Sequence, residues 1–178
     1  MFKVSLIAEG LTRQEEIKVG IAANRMQAVI NHPSFKEFVL NFSFTKKKTK
    51  GYLWWRKTTY ENCPYFVGAE RMSRTEVYNQ LMNGRERLSN DGVDHEADIY
   101  LKIDRSNSWG VIGYTRASTK WQWIYSRFFN KFDVNEIAGN LAHEWCHKLG
   151  FKHSRKRTAT RKYSVPYIIG YFVRDFPN

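Results

Sequence analysis

Apolar residues along this chain switch between a period of two and a period near 3.6, and the switches divide it into elements. Residues 3–8 alternate loosely and predict a first strand. Within residues 14–30, Ile17, Ile21, Ala22, Met26, Val29 and Ile30 recur at helical spacing. This predicts a helix packed by one face, which Asn31, His32 and Pro33 should stop. Phe38, Leu40, Phe42 and Phe44 then alternate with Val39, Asn41, Ser43 and Thr45, as a half-buried strand does. The KKKTKG that follows reads as a turn, with residues 52–60 returning as the hairpin partner. Residues 73–88 predict a helix opened by the capping Ser73 and ending near Ser89, Asn90 and Gly92.

The second half is marked more strongly. ADIYLKI, residues 97–103, is a strand, and residues 111–116 and 121–129 are two more. Residues 133–149 predict a helix. Asp133 with Glu136 three positions on is an Asp form of the capping box, and Ile137, Leu141, Trp145 and Leu149 form one face. Gly150 ends it in the manner of a left-handed C-terminal glycine. Residues 154–162 are a basic loop, and residues 165–176 are apolar enough for a final packed helix.

Composition narrows the class. In 178 residues, 42% are hydrophobic and 16% aromatic, which suits a folded globular domain with a real core. No run of about 18 apolar residues predicts a transmembrane span. The opening segment lacks a signal-peptide pattern, so cytoplasmic synthesis is expected. Two cysteines, Cys63 and Cys146, cannot build a disulfide framework and fit free thiols in a reducing compartment. The formal net charge of +12 predicts attraction to polyanions, without choosing among nucleic acid, anionic membrane and acidic protein. Residues 46–57, KKKTKGYLWWRK, interleave cations with Tyr52, Trp54 and Trp55. They read either as a charged hairpin tip or as a site for single-stranded nucleic acid or an anionic membrane.

One segment carries chemistry: His143-Glu144-Trp145-Cys146-His147-Lys148-Leu149-Gly150-Phe151-Lys152-His153. On a helix, His143 and His147 lie one turn apart and can aim both imidazoles at one ion. Glu144 can reach the open coordination position without being a ligand. Gly150 lets the chain turn and bring His153 round as a third nitrogen donor. Three protein ligands leave a fourth position free, which is the mark of a catalytic zinc site. The remaining histidines, His32 and His95, have no metal-like spacing.

The pattern H-E-x-x-H-x-x-G-x-x-H resembles that of the metzincin metallopeptidases, and a chance match in this composition is on the order of 10⁻⁵. The resemblance covers residues 95–175. It implies a zincin-like α+β fold with a twisted, mostly parallel sheet, an antiparallel edge strand at residues 111–116, and the active-site helix. Residues 1–150 would form an N-terminal subdomain and residues 151–178 a small C-terminal one. It further implies Zn²⁺ on His143, His147 and His153, with Glu144 as general base in peptide-bond hydrolysis. The family's methionine turn has no counterpart, since Met1, Met26, Met72 and Met82 all precede His153. Tyr163-Ser164-Val165-Pro166-Tyr167 stands in its place. If Val165 replaces the methionine, the resemblance assigns Tyr167 to oxyanion stabilisation.

The expected protein is therefore a monomeric zinc endopeptidase acting on protein or peptide substrates, with residues 154–162 available to select acidic ones. Two rivals stay open: a zinc amidase acting on cell-wall peptide, and a basic nucleic-acid-binding module in which zinc is structural.

Overall fold

The computed structural model describes residues 1–52, 54–88, 92–106 and 110–177, and shows an α+β protein built around a four-stranded mixed sheet. Strand β1 (Lys3–Glu9) leads into helices α1 (Arg13–Asn31) and α2 (Pro33–Asn41). The hairpin β2 (Phe44–Lys50) and β3 (Lys57–Cys63) and helix α3 (Arg74–Asn83) follow. The second half holds β4 (Glu96–Asp104), β5 (Gly113–Thr115), β6 (Trp121–Tyr125), α4 (Ser126–Lys131) and α5 (Val134–Lys148). A 3₁₀ turn at Arg161–Tyr163 precedes α6 (Val165–Asp175). No helix among the described residues is long and apolar enough to cross a membrane.

The sheet order is β1-β4-β6-β5, with β1, β4 and β6 parallel and β5 antiparallel on the end. In β4, Ala97, Ile99, Leu101 and Ile103 are buried while their neighbours are half-buried, a strict period of two. Helix α5 packs against α1, β4 and β5. Its Ile137, Leu141 and Trp145 are fully buried, and each such side chain stabilises the fold by roughly 1.5–3 kcal/mol. Cys63 and Cys146 are both free and buried in the core.

Several elements differ from their sequence expectation. Residues 38–41 are helical. Pro33 opens α2 at its first turn, where a missing N–H costs nothing, and His32 Nδ1 accepts from the Ser34 amide at 3.2 Å. The apolar positions there are buried at helical spacing, Phe35, Val39 and Phe42, so the alternation beginning at Phe38 is incidental. Of the expected turn at residues 46–51, residues 46–50 are instead strand β2, and the chain reverses at Gly51. Helix α3 ends earlier than expected, with Gly84 left-handed at φ 64°; of the expected stop signals, Ser89 and Asn90 lie outside the described residues. Residues 126–129 belong to α4, not to β6. On α1, Ile17 and Ile21 face solvent, and Val19 and Ala23 take the buried positions.

Candidate metal centre

Three peptide segments meet at one cleft of about 1200 Å³. The first is α5, whose capping box is fully formed: Asp133 Oδ1 accepts from the Glu136 amide at 2.8 Å, and Glu136 Oε2 accepts from the Asp133 amide at 2.9 Å. This helix presents His143, Glu144 and His147 to the cleft. The second begins at Gly150, whose φ of 100° turns the chain away from the helix and back through His153. A side chain at Gly150 would also collide with Arg87, 2.4 Å from the Cβ position. The third is α6, which brings Tyr167.

The imidazoles converge. His153 Nε2 lies 3.2 Å from His147 Nε2 and 3.3 Å from His143 Nε2. One nitrogen from each ring lies within 4.8 Å of the others, the one such grouping among the described residues. A tetrahedral zinc with Zn–N bonds of 2.0–2.1 Å sets its ligand nitrogens about 3.3–3.4 Å apart, so two of the three edges already fit.

The rings are held from behind by main-chain carbonyls. His147 Nδ1 meets Phe151 O at 2.8 Å and His153 Nδ1 meets Ser154 O at 3.1 Å. His143 has a backbone hydrogen bond to Pro166. A carbonyl only accepts, so Nδ1 of His147 and of His153 donates, and the lone pair of each neutral imidazole is left on Nε2. Burial, the largest cause in each case, pushes His143 well below the usual histidine range, His147 down to about 4, and His153 down. At neutral pH the lone pairs of His147 and His153 therefore face each other across 3.2 Å, with His143 Nε2 3.3 Å from His153 Nε2, an arrangement that a cation satisfies. The donor set, three imidazoles and no thiolate, suits zinc and other borderline divalent metals.

Glu144 is 5% exposed at the cleft wall, and burial raises its carboxyl to about 8, against the opposing pull of Lys148. A divalent cation at the histidines favours the ionised form of this carboxyl. The Tyr167 ring stands 4.6 Å from that of His143 and 4.9 Å from that of His153, with the Arg161 guanidinium 5.1 Å away. Burial, the first cause, raises the Tyr167 hydroxyl pKa, so it stays a donor. The Val165–Pro166–Tyr167 stretch is the first turn of α6, with Val165 buried.

Two glycines explain how α6 comes so near. A Cβ at Gly139 would lie 2.6 Å from Gly170 O, and one at Gly170 would lie 2.8 Å from Gly139 O and 3.1 Å from His143 Cβ. The helices thus cross backbone to backbone directly behind His143. Strand β5 approaches α5 similarly, since a Cβ at Gly113 would lie 2.9 Å from Asn140 Oδ1. Tyr114 stacks on Trp123 at 4.9 Å, stiffening this edge.

Two buried polar residues support the cleft without any sequence signal that singled them out. Lys148 Nζ donates to the carbonyls of Thr119 at 2.6 Å, Trp121 at 2.8 Å and Arg116 at 3.3 Å, tying the β5–β6 turn to the end of α5. Glu86 Oε1 accepts from Trp145 Nε1 at 2.5 Å and from the Asp98 amide at 3.2 Å. Periodicity marks Trp145 as core but cannot show that its indole N–H needs a partner 59 residues away. The cleft rim is cationic, with Arg116, Arg155, Arg157, Arg161 and Lys162 among its lining residues. Cys63 is absent from that lining. No family model, curated protein or solved structure matches the chain.

Proposed function

We propose that this protein is a zinc-dependent endopeptidase of the metzincin type. The observation that carries the reading is the set of three imidazoles with Nε2 atoms 3.2 and 3.3 Å apart, each ring with a backbone partner, opening on a cleft that also holds a buried glutamate. Zinc bound there supplies a Lewis acid that polarises the scissile carbonyl and lowers the pKa of water toward about 7. Glu144 takes the proton of the attacking water and passes it to the leaving amine. Tyr167, beside His143 and His153, donates its hydroxyl to the carbonyl oxygen as negative charge develops there. An extended substrate adds to β5, the terminal strand of the sheet, through main-chain hydrogen bonds. Cations along the rim favour acidic segments in the substrate. A donor set of three opening on a large cleft supports hydrolysis over a structural zinc, which would claim a fourth side chain.

The test pairs elemental analysis with digestion of a peptide library by the wild-type protein and by Glu144→Gln. Zinc content should be the same in both, while hydrolysis should fall about 10²–10⁴-fold in the variant. Cut sites should be enriched in neighbouring Asp and Glu. Turnover undiminished by the substitution, or by removal of zinc with a chelator, rules the mechanism out.

A further inference from the structure

The β2–β3 hairpin is built unlike the rest of the molecule. Its strands pair only with each other, and every described residue from 45 to 62 is exposed. Tyr52, Trp54, Trp55 and Tyr60 are 91, 93, 84 and 71% exposed. Six cations, Lys46, Lys47, Lys48, Lys50, Arg56 and Lys57, share the segment with one carboxylate, Glu61, which Lys48 pairs at 3.0 Å. Such a grouping of unburied rings marks an interaction surface.

The rings are placed by a constructed turn. The ladder ends at Lys50 opposite Lys57, so Tyr52, Trp54 and Trp55 all lie beyond the last paired residues. The Trp55 amide donates to Tyr52 O at 2.8 Å and closes the tip. Gly51, at φ 116°, sits where a Cβ would come 2.1 Å from Trp55 O, so no other residue fits this reversal. The ribbon is thus aromatic at its end and cationic along its stem.

We propose that this hairpin docks the protein on an anionic phospholipid surface. Tyr and Trp are the side chains that settle at the boundary between headgroups and acyl chains. Behind them, a strand rises about 3.3 Å per residue, so Lys48 lies roughly 7 Å behind Lys50 and Lys57, the last paired residues below the tip. That matches the headgroup layer of one leaflet, roughly 5–8 Å deep, where the phosphates are. Single-stranded nucleic acid calls for a different layout, with aromatics spaced along a strand face to stack successive bases. Here Tyr60, opposite Lys47, is the lone exposed ring within the paired strands, since Phe44 is buried.

The full chain is mixed with vesicles of phosphatidylcholine containing roughly 30% phosphatidylserine, and with vesicles of phosphatidylcholine alone. Binding is read by co-sedimentation and by the tryptophan emission maximum. The protein should sediment with the anionic vesicles only, with a blue shift, whether or not metal is bound. Trp54→Ala with Trp55→Ala should weaken binding at least tenfold and abolish the shift. Lys48→Gln, Lys50→Gln and Lys57→Gln together should weaken it about 100-fold. Both variants should keep the wild-type far-ultraviolet circular dichroism, since every altered residue is exposed. Equal binding to both vesicles, no binding to either, or tighter binding to an oligothymidylate that the tryptophan variant loses would each overturn the proposal.

Discussion

The metal cleft and the β2–β3 hairpin draw on the same residue types, rings and cations, and use them in opposite ways. At the cleft the aromatic and basic groups are held by several elements at once. Trp145 is fully buried with its indole on Glu86, Lys148 donates to three carbonyls, and each of the three cleft histidines has a main-chain partner. At the hairpin the same kinds of side chain touch little beyond their own strand partners, and the fold loses nothing by leaving them in water. The difference teaches that composition alone says little about role. A ring or charge that other segments enclose shapes a site, and one that a tight turn holds out in solvent shapes a contact.

Replacing a ligand should separate the two regions most sharply. His153→Ala is expected to weaken zinc binding by well over the roughly 10–100-fold typical of losing a partner behind a ligand. The Trp54→Ala, Trp55→Ala double variant should leave it untouched, as titration against a chromogenic chelator would show. Next in size is the helix crossing. Gly170→Ala places a Cβ against Gly139 O and His143 Cβ, and overpacking of this kind costs about 1–3 kcal/mol. Thermal melts should shift down by roughly 2–4 °C per kcal/mol, with weaker metal binding. Exposed Trp54→Ala should stay within about 0.5 kcal/mol of wild type. If both variants melted alike, the contrast between the regions would be lost.

The smallest effect concerns two glutamates. Burial raises the Glu86 carboxyl to about 7, whereas Lys48 holds Glu61 below the usual range. A folded-state pKa above the unfolded one means that the native protein binds the extra proton. The Glu86 contribution therefore weakens as pH rises from about 4.5 to 7. Glu86→Gln should flatten the stability curve across that window and raise stability at pH 8 on the order of 1 kcal/mol. Denaturant melts at intervals of pH would read this directly. Glu61→Gln should leave the slope in that window unchanged.

How much could be read from the chain beforehand follows the same divide. Helix α5, its capping box, the turn at Gly150 and the three histidines are written locally, within 21 residues, because the helical period and the motif need only near neighbours. Strand β4 is equally plain, since its burial alternates without a break. Residues 38–41 depart from the expected strand because their aromatics satisfy two periods at once, and the deciding feature is Pro33, which opens α2 as well as following the end of α1. The partners of Glu86 and Lys148, and the backbone contact of Gly139 with Gly170, join residues tens of positions apart. No local pattern encodes them, although glycine within a helical run, costing about 1 kcal/mol against alanine, hints at a packing reason.

The backbone partner of His143 is Pro166, which the ribosome adds after all three histidines. A growing chain therefore carries all three imidazoles before it can orient the first of them. Only when α6 has been made and has folded back across Gly139 does the centre reach its final form.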